Sequence, residues 1–293
     1  MSAALKKLLL LSLALVLSFT LVFSIGCKEK LPQEEIDQII AGATAASYDT
    51  VSFDMDLPMT VKAEGGSEPG TMTAEMSGTG AIDVLNRAMQ MTMGMEISVP
   101  GTGSQEVSAE IYVLEGWMYT GVDIPGVGKN WMKIELTEPV WQQQVQVEQF
   151  VELLATAVEV DYKGTETVNG VECYVFEIEP NMDTLRDLLL QETSSLGMMD
   201  LSGLDVAELY QELSVKEWLA KDSYLLQRTE VEMTMEVSPD DVGATSDDFE
   251  KMSIDIKMTT RFYAYNQPFN VVLPPEALDA EEPVPPSTIP EPE

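Results

Sequence analysis

The chain reads mostly in period two. Val51, Phe53, Met55, Leu57, Met59 and Val61 alternate with largely polar residues, and Met89, Met91, Met93, Met95, Ile97 and Val99 repeat the pattern. Val107, Ala109, Ile111 and Val113 follow it, as do Val231, Met233, Met235 and Val237, and then Met252, Ile254, Ile256 and Met258. Successive side chains on a strand point to opposite faces, so each run predicts a strand with one apolar and one wet face. Thr71 to Ala81 predicts a weaker partner strand. Gly65-Gly66, Pro69-Gly70, Pro100-Gly101 and Glu115-Gly116 supply reversals. Two more strands, around Val160–Glu166 and Glu172–Glu179, flank Val168-Asn169-Gly170, and Asn-Gly is the strongest short hairpin signal.

Helical spacing is rarer. Ile36, Ile39, Ile40 and Ala43 share a face over about Glu34 to Tyr48. A broad stripe of Val140, Trp141, Val145, Phe150, Leu153, Leu154 and Ala157 predicts a second helix over Pro139–Val158. Met182–Leu190 and Val206–Leu213 read as shorter ones. Asp279–Glu293 is rich in Pro and Glu with almost nothing to bury, which predicts a disordered tail. The sum is an α+β fold: one large twisted antiparallel sheet, a half-barrel, whose concave apolar face helices must cover. Fourteen residues are the candidate lining of that face: Phe53, Met55, Leu57, Met59, Met89, Met91, Met93, Met95, Ile111, Val113, Met233, Met235, Ile254 and Ile256.

The start of the chain adds an address. Lys6 and Lys7 precede an apolar run from Leu8 to Phe23, the form of a secretory signal. The run is short for a membrane span of roughly 20 residues, which sets it against an uncleaved anchor. It ends on Ser24-Ile25-Gly26-Cys27, which resembles a bacterial lipobox with Ser24 where Leu is usual. The resemblance implies cleavage before Cys27 and acylation of its sulfur. The expected layout is a signal over 1–26, a lipidated tether over 27–33, a main domain over 34–275 and an acidic Pro-rich tail over 276–293.

Charge narrows the partners. Fifty acidic residues against 16 basic ones give a net charge of −34, and the leader contributes none of the acids. Such a surface repels nucleic acid and anionic headgroups alike, so attachment to a membrane must come through the acyl chains on Cys27. Histidine is absent, which removes Ser-His-Asp and Cys-His catalysis and every imidazole-based metal site. Gly65-Gly66-Ser67-Glu68-Pro69 misses the nucleophile elbow at its last glycine. With fifty carboxylates, close acid pairs arise without catalytic meaning. The chain is therefore read as no enzyme, with no cofactor and no metal. Asp240, Asp241, Asp247 and Asp248 lack the EF-hand arrangement and read as a solvated cluster. Cys173, with few basic neighbours and no disulfide partner once Cys27 is acylated, reads as inert. Trp117, Tyr119 and Trp131 read as caps on sheet edges, ahead of a cavity gate or sugar platform.

Two late stretches carry a family resemblance. Trp218-Leu219-Ala220-Lys221-Asp222-Ser223-Tyr224, with Leu225-Leu226-Gln227-Arg228, resembles the strand-turn-strand of LolA-fold carriers, Asp222 coming later than usual. Phe262-Tyr263-Ala264-Tyr265-Asn266-Gln267-Pro268, running on to Pro274, is similar to the closing strand of LppX/LprG-like lipoproteins. The resemblance covers about Asp49 to Pro275. It implies a half-barrel closed by helices around a hydrophobic cavity, in a family whose members carry acyl chains of lipoproteins or glycolipids across an extracytoplasmic space. The chain is then a lipid-anchored carrier or binder of a hydrophobic ligand on the outer side of the cytoplasmic membrane. The alternative is a structural envelope lipoprotein whose sheet is filled by its own helices, with a protein partner on its acidic face or tail. Methionine suits either reading, since it adapts to variable apolar shapes and also fills gaps in a core.

Overall fold

Among the described residues, eleven strands pair into one antiparallel sheet in the order β6-β5-β4-β3-β2-β1-β11-β10-β9-β8-β7. The computed structural model describes residues 30–65, 70–99, 101, 103–142, 146–181, 210–239 and 250–282. The leader with Cys27, the helix expected over Met182–Leu190 and the acidic loop at Asp240–Asp248 lie outside them. The first meander comprises β1 (Thr50–Glu64), β2 (Gly70–Asp83), β3 (Ala88–Val99), β4 (Gly103–Leu114), β5 (Trp117–Ile124) and β6 (Gly128–Glu135). The second comprises β7 (Glu159–Val168), β8 (Val171–Glu179), β9 (Tyr210–Ala220), β10 (Leu226–Val237) and β11 (Lys251–Tyr263). First strand meets last at the centre, where Phe53 opposes Phe262 and Met59 opposes Ile256. The β1–β11 pairing skips Leu57 and Pro58, consistent with the missing N–H of proline. The sheet stays open, as a half-barrel does, with β6 and β7 at its edges.

Helix α1 (Gln33–Ala45) buries Ile36, Ile39 and Ala43, the stripe its spacing predicts. The ring of Tyr224 packs so closely on Gly42 that an added Cβ would lie 2.6 Å from it, so a side chain there would push the helix off the sheet. Within the helix expected over Pro139–Val158, the described residues form α2 (Glu138–Gln142) and α3 (Gln146–Thr156). From α3, Val147, Phe150, Leu153 and Leu154 enter the core, and Phe150 meets Phe262 with ring centroids 6.3 Å apart.

Two expectations are corrected. Within Val206–Leu213, the described residues from Tyr210 onward are strand, not helix, and open β9. Leu213, Val215 and Leu219 take the inward positions, but so does Glu217, and that acid interrupts the apolar alternation. Residues 276–282, expected to belong to a disordered tail, are instead packed. Pro275–Asp279 forms a 3-10 helix, with Ala277 and Ala280 buried in a small cluster beside Tyr112, Trp131 and Val271. The Lys133 N–H donates to the Glu281 carbonyl at 3.0 Å, so the segment also covers part of the edge strand β6.

Candidate functional site

The strand register places all fourteen candidate lining residues on one face of the sheet, the face that α1 and α3 pack against. They divide into two groups along the strands. Phe53, Met55, Met89, Met91 and Val113 are buried in the main core, together with Phe176, Leu219, Leu226 and Phe262. Leu57, Met59, Met93, Met95, Ile111, Met233, Met235, Ile254 and Ile256 are only half-buried. The two groups follow from lengths. At about 3.3 Å per residue, β1 runs roughly 50 Å, whereas α1 and α3 are about 20 and 16 Å long. Their buried side chains meet the Val51–Met55 end of β1 and leave the other end less covered.

That other end is a methionine-rich surface. Met76 opposes both Leu57 and Met95, Met93 lies over Gly78, and Met233 and Met235 oppose Ile256 and Ile254. From Leu57 to Ala63 the surface runs about 20 Å along the strand. An acyl chain spanning one leaflet, half of a hydrocarbon core about 30 Å thick, would fit along it. At the opposite end, a cleft of about 530 Å³ opens beside the packed helices α1 and α3, lined by Ala43, Tyr48, Val84, Val147, Val151 and Tyr224 among others. Tyr48 and Tyr265 meet edge to face nearby, and the Tyr265 hydroxyl donates to the Leu226 carbonyl. Burial raises both phenol pKa values above the ordinary tyrosine value, so neither ionises in the physiological range.

One row crosses this apolar face with polar groups. Glu217 on β9 opposes Thr229 on β10, and Thr229 opposes Thr260 on β11. All three are fully buried, and both Glu217 carboxyl oxygens and both threonine hydroxyls lack a hydrogen-bond partner among the described residues. Burial pushes the Glu217 carboxyl well above its usual range. The sequence reading missed this row because it took Val206–Leu213 for helix and stopped short of Glu217.

The outer face is wet and charged. Glu230, Glu232 and Glu236, expected to point away from the core, pair with Arg228, Lys257 and Lys251. The Lys163 ammonium bonds Glu177 at 2.6 Å and holds its carboxyl below the usual value. Trp218 donates its indole N–H to Glu166 at 2.9 Å, and the Arg228 guanidinium stacks on its ring at 4.5 Å. The exposed pairs of Glu232 and Glu236 add little stability and read as solvation of the outer surface, whereas Trp218 is buried with Val168, Cys173 and Val175 in a small cluster on this side. Trp131 lies on this side, against Gly121 and under the C-terminal segment, as an edge cap does. Cys173 is buried with its thiol pKa raised by desolvation, which disfavours the reactive thiolate. Among the described residues, no three acidic or cysteine side chains gather to hold a metal, and no helix is long and apolar enough to cross a membrane.

Residues 35–282 match DUF6612, a family of unknown function, and the chain belongs to that family. No curated protein matches it. Among solved structures, the chain is similar to the lipoprotein LppX of Mycobacterium tuberculosis at 14% identity, with 82% of this chain and 97% of that one covered and a TM-score of 0.38. It is similar to LprF of Mycobacterium bovis at 13% identity, covering 83% and 98% with a TM-score of 0.40. A DUF1329 family protein of Desulfovibrio piger follows at 9% identity, covering 81% and 94% with a TM-score of 0.23.

Proposed function

We propose that the protein is a non-enzymatic, lipid-anchored binder or carrier of a hydrophobic ligand, such as acyl chains, a lipid or a lipoprotein. It acts on the extracytoplasmic face of the cell membrane, held there by acylated Cys27. The observation that carries this reading is the half-buried, methionine-rich end of the sheet face, a continuous apolar strip beside a closed core. Soluble proteins rarely leave large contiguous apolar surface on display without a binding role. Methionine supplies flexible contacts for chains of varied shape. In this mechanism the ligand lies along Leu57–Ala63 and its neighbours, and α1 and α3 part for loading beside the cleft they help to line. No chemical step is required of the chain.

A second reading draws on the closed end. The core there is filled by α1 and α3, as in a structural lipoprotein whose partner docks on the acidic outer face. Native mass spectrometry of full-length protein extracted from its own membranes separates the two. Co-purifying lipid that is lost in Met95→Trp, while the melting temperature holds, supports the carrier. A ligand-free wild type that also fails to take up added lipid leaves the structural reading. The anchor is tested separately: Cys27→Ser should release the protein from membranes or leave its precursor uncut.

A further inference from the structure

We propose that Glu217, Thr229 and Thr260 form a polar seat within the apolar face, holding the head of an uncharged amphiphile whose hydroxyls and ester carbonyls can bond to them. The inference rests on the carrier reading and names the ligand class for it. The three residues sit side by side on adjacent strands, where paired Cα atoms lie about 4.5–5.5 Å apart. Their inward neighbours along the strands are apolar: Val215 and Leu219, Val231, and Met258 and Phe262. Four buried oxygens gathered in one row, none hydrogen-bonded among the described residues, is an arrangement that folded cores avoid. A ligand supplying the missing bonds accounts for all four at once.

The position also fits. The row runs on through Met55 and Gly78 to the half-buried Met93. A head held here would leave its chain free to lie along the strip from Leu57 to Ala63. The chemistry of the head follows from what the seat contains. No lysine or arginine occupies the row or the inward positions flanking it, since Lys216, Arg228 and Arg261 alternate onto the outer face. A phosphate would meet a carboxyl group with no cation to balance it. Burial raises the Glu217 carboxyl well above its usual range and so favours the uncharged acid, which offers one donor and one acceptor. Hydroxyl and ester groups, as on a diacylglycerol, match that set.

The test compares two fluorescent probes on full-length protein, a pyrene-labelled diacylglycerol and a pyrene-labelled alkane of matched length. The wild type should bind the diacylglycerol about tenfold more tightly, the scale of one or two net hydrogen bonds. Glu217→Gln, which keeps a neutral donor and acceptor, should retain the preference, and Glu217→Leu should bind the two probes alike. If the Leu variant fails to fold, Thr229→Val combined with Thr260→Val makes the same test. Equal affinity for both probes in the wild type overturns the seat and leaves the carrier reading standing. A preference that survives in the Leu or double-Val variant likewise overturns it. Loss of preference in the Gln variant overturns the uncharged head. Binding of neither probe removes the carrier reading, and the seat with it.

Discussion

The two ends of the inner sheet face are built by the same strands in the same alternation, yet they differ in what touches them. At one end Phe53, Met89, Val113, Phe176 and Phe262 lie at 3% exposure or less beneath Phe150 and Leu154. At the other, Met59, Met95, Met233 and Ile256 are half-buried on strands that continue unbroken. Period two decides which face is apolar, but helix length decides how much of it is closed. Residue choice follows this division only for the rings. Aromatic side chains knit the closed end, whereas methionines stand at both, Met55, Met89 and Met91 in the core and Met59, Met93, Met95, Met233 and Met235 beyond it, where their adaptability meets a surface that no helix fixes.

Large-to-small substitutions should break the comparison most sharply. Phe150→Ala removes a ring from the closed core and should cost about 3–5 kcal/mol, with Leu154→Ala at about 2–5 kcal/mol. Met95→Ala at the half-exposed end should cost less than about 1 kcal/mol, since solvent already reaches the site. Urea unfolding of the three variants measures this. Similar losses in all three would mean that the open end is as tightly packed as the closed one.

The polar row gives a pH signature to the boundary between the ends. The Glu217 carboxyl titrates higher in the folded chain than in the unfolded one, so its contribution to stability is fully present at low pH. It is lost as pH rises above the unfolded value, near 4.3, and keeps falling until the folded group ionises. Within that window the wild type should lose up to about 1.4 kcal/mol per pH unit relative to Glu217→Gln. Parallel stability profiles from pH 4 to 8 would show that the carboxyl is solvated after all.

The closed and open ends were unequally legible. The alternation of Val51–Val61, Met89–Val99 and Met252–Met258 places β1, β3 and β11, and the Asn-Gly turn places β7 and β8. In the structure that turn has Asn169 at φ +50° and Gly170 at φ +85°, the left-handed pair a tight hairpin needs. Strand β9 was hidden because Glu217 takes an inward position, where a polar residue reads as a break. Strands β5 and β6 were hidden for the opposite reason. Trp117 and Trp131 make their outer side apolar, and the sequence gives no sign that a segment from the far C-terminus lies against it. Local pattern reports on faces. It does not report which distant segment covers them, so the division into closed and open ends emerges only from the fold.

Overpacking distinguishes the ends on a smaller scale. Met89 is 1% exposed, so Met89→Trp must displace neighbours and should cost about 1–3 kcal/mol. Met95→Trp has room to turn along the half-buried strip and should change stability by less than about 0.5 kcal/mol. Thermal unfolding monitored by circular dichroism reads both. A larger loss at Met95 than at Met89 would invert the assignment of closed and open ends.

The last comparison concerns cover on the other side of the sheet. Ending the chain after Pro274 removes Ala277 and Ala280 from their contacts and strips the Glu281 carbonyl from the Lys133 N–H. Two buried methyl groups at about 0.8 kcal/mol each, with one hydrogen bond near 1 kcal/mol, predict a loss of up to about 2.6 kcal/mol. Ending it after Glu282 keeps these contacts and should leave stability within about 0.5 kcal/mol of the full chain. The pair of truncations separates the docked segment from the residues beyond it, which neither variant retains. Equal stability in both would mean that Trp131 and Tyr112 need no cover, leaving the inner face as the only side of the sheet where coverage matters.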